Sequence, residues 1–261
     1  MTKTVLCVAA LSVALAGVSL QAGTVVLGEP AVPGTGNCDP FGCPVLFGLG
    51  TYQQVYSSSA FSGAIVIDDL AFFQQQVLKN GGVPAGGTYT LSFSYTSDAP
   101  GDLNLSNPDD NIGSGSATFF SGTLPSLASD GNGNLLTFSG LPFAYNPADG
   151  NLLLTVSITG ATDSLPYLYL DQAQCGPLTT CPMGSTVVSS NAFFGNVNGS
   201  PVSGGNNTGG LVTEFGYTTI AGVPTPEPGS LLLVLAGIGL IGYQRRRRNG
   251  SRRAARASGH N

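Results

Sequence analysis

Residues 88–96 read TYTLSFSYT, a strict alternation of large apolar residues with hydroxyl residues. A period of two places successive side chains on opposite faces of a β-strand. One face therefore carries Tyr89, Leu91, Phe93 and Tyr95, and the other carries four hydroxyls. The pattern predicts a half-buried strand of an antiparallel sheet.

Similar strand-sized apolar segments flank this one on both sides, separated by turns rich in Gly, Asn, Asp and Pro. The other predicted strands are 24–27, 45–49, 61–67, 116–121, 135–139, 152–159, 165–170, 186–189, 192–194 and 211–219. One short helix is predicted at 70–78, after Asp68-Asp69 closes the strand before it. Residues 199–210, rich in Gly, Ser and Asn, are open to interpretation as a loop or a mobile stalk.

The composition agrees with an all-β fold. Glycine is abundant, at 38 residues, and only 9% of the chain is charged. Such a composition favours many turns and short strands over long surface helices. We therefore predict a single β-sandwich, jelly-roll-like, for residues 23–222.

The predicted domain at 23–222 is strongly acidic. Lys79 is its only basic residue, against thirteen acids, which gives a formal charge of about −12. Proteins bind nucleic acid largely because their Lys and Arg side chains displace counterions from the phosphates. This domain has no cluster of basic residues, so nucleic acid is excluded as a partner. The charge suits solubility outside the cell, divalent cations or cationic partners.

The N-terminus has the organisation of a secretory signal peptide. Lys3 precedes an apolar run at 5–18, and small residues follow at 19–23. We predict residues 1–22 as the signal peptide, with cleavage after Ala22. An N-terminal membrane anchor is the alternative, although the apolar run is short for a span.

Four cysteines remain after signal removal: Cys38, Cys43, Cys175 and Cys181. An even number in an exported protein indicates two disulfides. Local pairing, Cys38 with Cys43 and Cys175 with Cys181, is the first interpretation. Cross-pairing between the two segments stays open, as does a four-cysteine zinc site.

The C-terminal segment at 223–248 has three successive zones. Pro226, Glu227 and Pro228 lie in a proline-rich stretch that stays extended. An uncharged apolar run at 231–243 follows, and we predict it to form one short transmembrane helix. The cytoplasmic stop signal comes next, and it consists of Arg245, Arg246, Arg247 and Arg248.

This tail closely resembles the PEP-CTERM sorting signal of Gram-negative bacteria. The resemblance implies recognition by an exosortase, a membrane cysteine protease-transpeptidase, and cleavage near the Pro-Glu-Pro motif. It also implies an exported protein that is transiently anchored in the inner membrane and then attached to the cell surface or released. Residues 249–261 form an additional basic cytoplasmic tail beyond the arginines. An ordinary single-pass anchor is the alternative.

The predicted domain lacks the residues of most catalytic centres. The only histidine of the chain is His260, beyond the arginine cluster. Ser-His-Asp and Cys-His catalysis and histidine-ligated metals are therefore excluded from residues 23–222. The adjacent acids Asp68-Asp69 and Asp109-Asp110 are interpreted as solvated turn residues, because neighbours in a strand point to opposite faces. No enzymatic activity is predicted.

Calcium is the one small ligand that the sequence suggests. Asp130, Asn132 and Asn134 place oxygen atoms at alternate positions, as the start of a calcium loop does. The pattern lacks the glycine and glutamate of an EF-hand, since Leu135 and Leu141 occupy those positions. A second oxygen-rich loop contains Asp98, Asp102, Asp109, Asp110, Asn104, Asn107 and Asn111. A plain turn rich in Asp and Asn is the alternative for both.

Tyr167 and Tyr169 share a face at a spacing of two, which suits either sugar stacking or cross-strand packing. Taken together, these features predict an exported cell-surface or extracellular-matrix protein, associated with biofilm and exopolysaccharide, in a structural or adhesive role. A carbohydrate-binding module for the matrix polysaccharide is the alternative. A secreted carboxylate-dependent glycan hydrolase is the third hypothesis.

Overall fold

A computed structural model describes residues 21–28, 36–46, 48–75, 82–129, 134–172, 189–207 and 210–219. The strands in chain order are β1 (Ala22–Leu27), β2 (Gly36–Asn37), β3 (Leu49–Tyr56), β4 (Ile65–Phe73), β5 (Gly86–Thr96), β6 (Ala117–Gly122), β7 (Ala128–Ser129), β8 (Asn134–Tyr145), β9 (Asn151–Thr162), β10 (Leu170–Asp171), β11 (Ser189–Val197), β12 (Ser200–Asn207) and β13 (Thr213–Thr219). Three single-turn 3-10 helices lie at Ser58–Ala60, Pro108–Asn111 and Pro147–Asp149. These described residues contain no α-helix, so the all-β prediction is confirmed for them.

The strands form two main antiparallel sheets. The six-stranded sheet has the order β12-β11-β3-β9-β5-β6, and the five-stranded sheet has the order β1-β13-β4-β8-β7. A small two-stranded sheet, β10-β2, is separate from both. The predicted strand at 88–96 lies within β5, between β9 and β6, and pairs Tyr89 with Ile158 and Phe93 with Leu154.

The two main sheets enclose one aromatic core. Phe93 of the six-stranded sheet lies 6.2 Å, between ring centroids, from Phe215 of the five-stranded sheet. Tyr56 approaches the same Phe215 ring at 4.9 Å in an edge-to-face arrangement, which suits the charge distribution of aromatic rings. The arrangement is sandwich-like, and the described residues from 21 to 219 belong to one compact unit. The jelly-roll connectivity stays a prediction.

The outer face of the six-stranded sheet carries a second, smaller apolar cluster. Val55 and Leu153 point away from the main core and pack with Leu103, which belongs to the segment between β5 and β6. We call this segment, residues 97–116, the acid–amide loop. Because this loop packs on the outer face of the sheet, Ser94 is buried even though the alternation of β5 places it on the hydroxyl face.

The predicted helix at 70–78 is wrong over the residues that the structure describes. Strand β4 continues through Asp68 and Asp69 to Phe73, with a register irregularity between Ile67 and Asp69. The irregularity shifts the alternation by one residue, so that Ile67 and Leu70 both face the core. Pairing with β13 on one side and β8 on the other keeps residues 70–73 extended, and the local sequence does not show these partners.

Three further boundaries need correction. The predicted strand at 45–49 is a turn over residues 44–46, and β3 begins at Leu49. The predicted strand at 165–170 is mostly irregular, and only its last residue enters β10. Residues 200–207, for which a loop or stalk was expected, form edge strand β12 against β11. Their glycines suit close packing, since Gly204 faces the Phe193 ring.

Within the described part of the chain, no helix is long and apolar enough to cross a bilayer. Residues 1–20 and 220–261 lie outside the described residues. The predicted transmembrane helix and nearly all of the predicted signal peptide therefore stay predictions.

Candidate functional site

A disulfide closes a short loop between β2 and β3. Cys38 and Cys43 are bonded, with their Cα atoms 5.3 Å apart, and the backbone N–H of Gly42 donates to the Cys38 carbonyl at 2.6 Å. The local pairing predicted for these two cysteines is confirmed. We call residues 38–43 the disulfide loop. Cys175 and Cys181 lie outside the described residues.

The disulfide loop is anchored in the core by its aromatic residue. Phe41 is fully buried, and its ring lies 5.0 Å from Phe72 and 6.0 Å from Tyr89, between centroids. On its other side, the loop touches the segment after β9. A Cβ on Gly42 would overlap the backbone of Leu168, so only glycine permits this approach.

This anchoring buries the carboxyl group of Asp39, which is 7% exposed. Cys43 Sγ lies 3.4 Å from Asp39 Oδ1, but a disulfide sulfur has no proton to donate. Burial, and secondarily the charge of Asp163, raises the pKa of Asp39 from 3.8 to about 7. Asp39 is thus a buried acid that receives no hydrogen bond from the described residues.

Two further polar groups belong to this part of the molecule, since the charge of Asp163 acts on both Asp39 and Tyr89. Asp163 follows β9, is half-buried, and accepts a hydrogen bond at Oδ1 from the Val45 backbone N–H at 2.9 Å. Tyr89 is 0% exposed, and its hydroxyl has no hydrogen-bond partner among the described residues. Burial, and secondarily the charge of Asp163, raises the pKa of Tyr89.

The described residues supply no positive charge to these acids, because none of them is Lys, Arg or His. One sulfur from each of Cys38 and Cys43 and a carboxylate oxygen of Asp39 lie within 4.8 Å of one another. Both thiols are consumed by the disulfide, which rules out a thiolate zinc site here. Asp39 is then the one titratable group left in this cluster.

The acid–amide loop has a different chemistry. The side-chain amides of Asn104 and Asn107 donate to the two carboxylate oxygens of Asp110 at 3.1 and 2.9 Å. Asn111 is buried, and its amide donates to Gln53 Oε1 at 2.8 Å while its oxygen accepts from the Asn104 backbone N–H at 2.7 Å. The structure therefore brings together Asn104, Asn107, Asp110 and Asn111 of the oxygen-rich loop, and amide groups occupy their oxygens.

The remaining acids of this loop are half-buried or exposed. Partial burial, and secondarily the charge of Asp102, raises the pKa of Asp98, while a hydrogen bond from Thr96 opposes the shift. Elsewhere, Asp69 accepts a hydrogen bond from the Ser139 hydroxyl at 2.6 Å on the outside of the five-stranded sheet. Neither arrangement forms a cleft with two facing carboxylates.

The predicted calcium turn is only partly within the described residues. Asp130 and Asn132 lie outside them. Asn134 begins β8, and its amide donates to Gln74 Oε1 at 2.6 Å. Calcium at this turn stays a prediction.

The two candidate sugar-stacking residues flank a buried leucine. Leu168 is fully buried, whereas Tyr167 and Tyr169 on either side of it are half-buried. Leu165, close by in the chain, is 77% exposed. The segment thus presents partly accessible aromatic and apolar surface.

The first and last described strands are neighbours. In the β1–β13 pair, Ala22 lies opposite Thr218, and the Thr219 backbone N–H donates to the Gln21 carbonyl at 2.9 Å. The predicted signal-peptide cleavage site therefore lies beside the end of β13, the last described strand. No sequence pattern predicts the pairing of β1 with β13, because it depends on the order of the strands in the sheet.

A comparison with protein-family models finds the PEP-CTERM protein-sorting motif at residues 224–248. The match includes Pro226, Glu227, Pro228 and the cluster from Arg245 to Arg248. No curated protein and no solved structure matches the chain. The resemblance on which the sequence analysis relied is confirmed, and the motif indicates export and sorting by an exosortase.

Proposed function

We propose that this chain, which carries a PEP-CTERM sorting motif, is a non-catalytic structural or adhesive protein of the cell surface or extracellular matrix. The motif is the observation that carries the proposal, because it directs the domain at 23–222 out of the cell. In this interpretation, exopolysaccharide is the medium in which the domain works.

The ends of the described domain support display by sorting. Strands β1 and β13 are neighbours, so the predicted signal-peptide cleavage site lies next to the last described strand. That strand ends at Thr219, seven residues before Pro226 in the sequence. The sorting motif therefore follows the domain in the sequence after a short connection.

The chemistry of the described residues supports a role without catalysis. Asparagine side chains of the acid–amide loop donate hydrogen bonds to a carboxylate of the same loop. Asp39 and Asp163 lie near the disulfide loop, and the described residues include no histidine and no basic side chain. A hydrolase needs two accessible carboxylates about 5–10 Å apart, one of them with a raised pKa. The raised pKa here belongs to a carboxyl that is almost fully buried.

The intact mass of the protein from cell-surface and medium fractions tests the proposal. We expect a C-terminus near Pro226–Pro228 in wild type and a chain that keeps Arg245–Arg248 in the variant Pro226→Ala/Glu227→Ala/Pro228→Ala. Pro201→Ala is the control, since it changes an exposed proline of β12 outside the matched segment at 224–248. An uncut wild-type chain confined to the inner membrane contradicts sorting.

Partly accessible Tyr167 and Tyr169 favour the second candidate, a carbohydrate-binding module. Its test is co-sedimentation of the exported protein with purified matrix polysaccharide. Tyr167→Ala and Tyr169→Ala should each weaken binding at least several-fold if the rings stack on sugars. Tyr217→Ala, which changes a half-buried tyrosine of the five-stranded sheet, should leave binding unchanged. Equal binding by all three variants contradicts this candidate.

A further inference from the structure

We propose that Asn198 is a site of spontaneous deamidation, at which asparagine converts to aspartate and isoaspartate, and that the side chain of Asn196 slows this reaction. Asn198 lies at the tip of the hairpin that joins β11 to β12, and Gly199 follows it. The inference concerns the chemistry of the β-domain itself. It does not depend on the adhesive or carbohydrate-binding roles proposed above.

The hairpin has a two-residue turn. Val197 pairs with Ser200, so only Asn198 and Gly199 lie between the paired positions. Their φ angles are 53° and 84°, in the left-handed region that Asn and Gly tolerate best. An Asn-Gly pair with both φ angles positive is typical of a type I′ turn, whose twist suits the flanking strands. Turn chemistry therefore places this dipeptide at the hairpin tip.

The tip of the hairpin is open to solvent. Residues 196–201 are all exposed. Apart from its chain neighbours, Gly199 has no atom within 4 Å of the position that a Cβ would occupy. Since glycine also has no side chain of its own to shield its nitrogen, water and hydroxide can reach the turn from solution.

The dipeptide itself carries the nucleophile and the leaving group of the reaction, so the first step is intramolecular. The backbone nitrogen of Gly199 loses its proton to hydroxide and attacks the side-chain amide carbon of Asn198. A five-membered succinimide ring closes, and the side-chain nitrogen takes up a proton and leaves as ammonia. Water then opens the ring at one of its two carbonyl carbons, which gives either aspartate or isoaspartate. The reaction needs no oxidant, reductant or enzyme.

The Asn196 side chain opposes the first step. Its Oδ1 accepts a hydrogen bond from the Gly199 backbone N–H at 2.8 Å. That bond engages the proton that must leave, and it directs the N–H toward Asn196. The backbone of Asn196 is itself fixed, because its N–H donates to the Gly48 carbonyl at 2.9 Å. Ring closure therefore requires the bond between Gly199 and Asn196 to break first.

The isoaspartate product changes the backbone of the hairpin. It adds one carbon atom to the main chain between residues 198 and 199, so the two-residue turn no longer matches the register of the strands. β12 is the outermost strand of its sheet and pairs with β11 alone among the described strands. We expect β12 to loosen in this form, because an edge strand has no second neighbour to hold it.

Peptide mapping of the full-length chain in detergent tests the site. Mass spectrometry measures the fraction of Asn198 that has exchanged –NH₂ for –OH, and it resolves the three other Asn-Gly pairs, which begin at residues 80, 132 and 249. We expect this fraction to rise with time, and faster at pH 9 than at pH 7, because the attacking nitrogen must lose its proton.

Gly199→Asn is the matched control for the site. Asparagine also tolerates a positive φ, but its side chain shields the nitrogen, so Asn198 should react much more slowly in this variant. Wild-type chain unfolded in urea gives the rate without the turn. An Asn198 that stays unreacted in the unfolded wild type overturns the site.

Two variants test the protective role of Asn196. Asn196→Ala removes the acceptor, and we expect Asn198 to react about fivefold faster in the folded chain, the factor that one net hydrogen bond is worth. Asn196→Asp keeps an oxygen at this position and should retain the wild-type rate. In urea all three chains should react equally, since the turn is lost. Equal rates for Asn196→Ala and wild type in the folded state overturn the role of Asn196.

Hydrogen exchange separates this local effect from a general weakening of the hairpin. Fresh Asn196→Ala should show the wild-type protection of the β12 amides, because the strand pairing is unchanged. After incubation, the isoaspartate form should exchange these amides faster than fresh protein, whereas β5 stays protected. Faster exchange of β12 in fresh Asn196→Ala would assign the rate increase to a loosened strand and overturn the protective hydrogen bond.

Discussion

The acid–amide loop and the disulfide loop treat their carboxylates in opposite ways. Asp110 is exposed, and amides three and six residues away in the sequence donate to both of its oxygens. Asp39 is buried, and no described residue donates a hydrogen bond to its carboxyl group. The comparison shows that an exposed acid can be satisfied by its sequence neighbours, whereas burial by the fold raises the pKa of Asp39.

The largest expected effect concerns the pH dependence of Asp39. Its pKa is about 7 in the folded chain and 3.8 in the unfolded chain. Below pH 4 the carboxyl is protonated in both states. Between about pH 4 and 7 the unfolded chain loses the proton first, so rising pH should destabilise the fold by about 4 kcal/mol.

Asp39→Asn should remove this part of the pH dependence. Denaturant unfolding at pH 4–8 with a chelator present measures it. Asp149→Asn is the control and should keep the wild-type slope. Parallel curves for wild type and Asp39→Asn would show that Asp39 titrates normally, and the contrast between the loops would disappear.

Asn111→Ala tests how much the buried amide of the acid–amide loop contributes to stability. Asn111 is 1% exposed, and its removal leaves Gln53 Oε1 and the Asn104 N–H without their partner. We expect a loss of about 3 kcal/mol in unfolding free energy, independent of calcium. Asn107→Ala, at an exposed position, should cost less than about 1 kcal/mol. Equal losses in the two variants contradict a structural role for the buried amide.

Removal of the disulfide tests the stability of the disulfide loop. Cys38→Ser/Cys43→Ser opens a six-residue loop, for which the chain-entropy model gives about 2 kcal/mol. The freed loop should also hydrate Asp39, so the pH dependence should become shallower than in wild type. Chemical denaturation at pH 5 and pH 8 measures both effects. A steeper pH dependence contradicts the idea that the disulfide loop keeps this acid buried.

The smallest effect is expected at Asp110. Asp110→Asn removes one charge from an exposed acid that neighbouring amides already satisfy. We expect a change below about 1 kcal/mol in the free energy of unfolding. Chemical denaturation of wild type and variant measures it. A loss of several kcal/mol would show that the charge of Asp110 supports the fold.

Local patterns predicted several parts of this structure correctly. The alternation at 88–96 identified β5 and its buried face, because a period of two is a property of the strand itself. The short spacing of Cys38 and Cys43 favoured their pairing, since near neighbours meet at low entropic cost. The sorting motif at 224–248 was readable because its zones follow one another in the chain.

Other features depend on tertiary structure, since sheet register and packing create them. Pairing of β4 with β13 and β8 made strand of residues predicted as helix, and pairing with β11 made a glycine-rich segment into β12. The sequence by itself determined several of the strands and the sorting motif of this protein. Only the fold buried Asp39 within range of the charge of Asp163, and joined the two ends of the domain through β1 and β13. The reason is that contacts between distant segments depend on how whole sheets pack, and no local pattern records that.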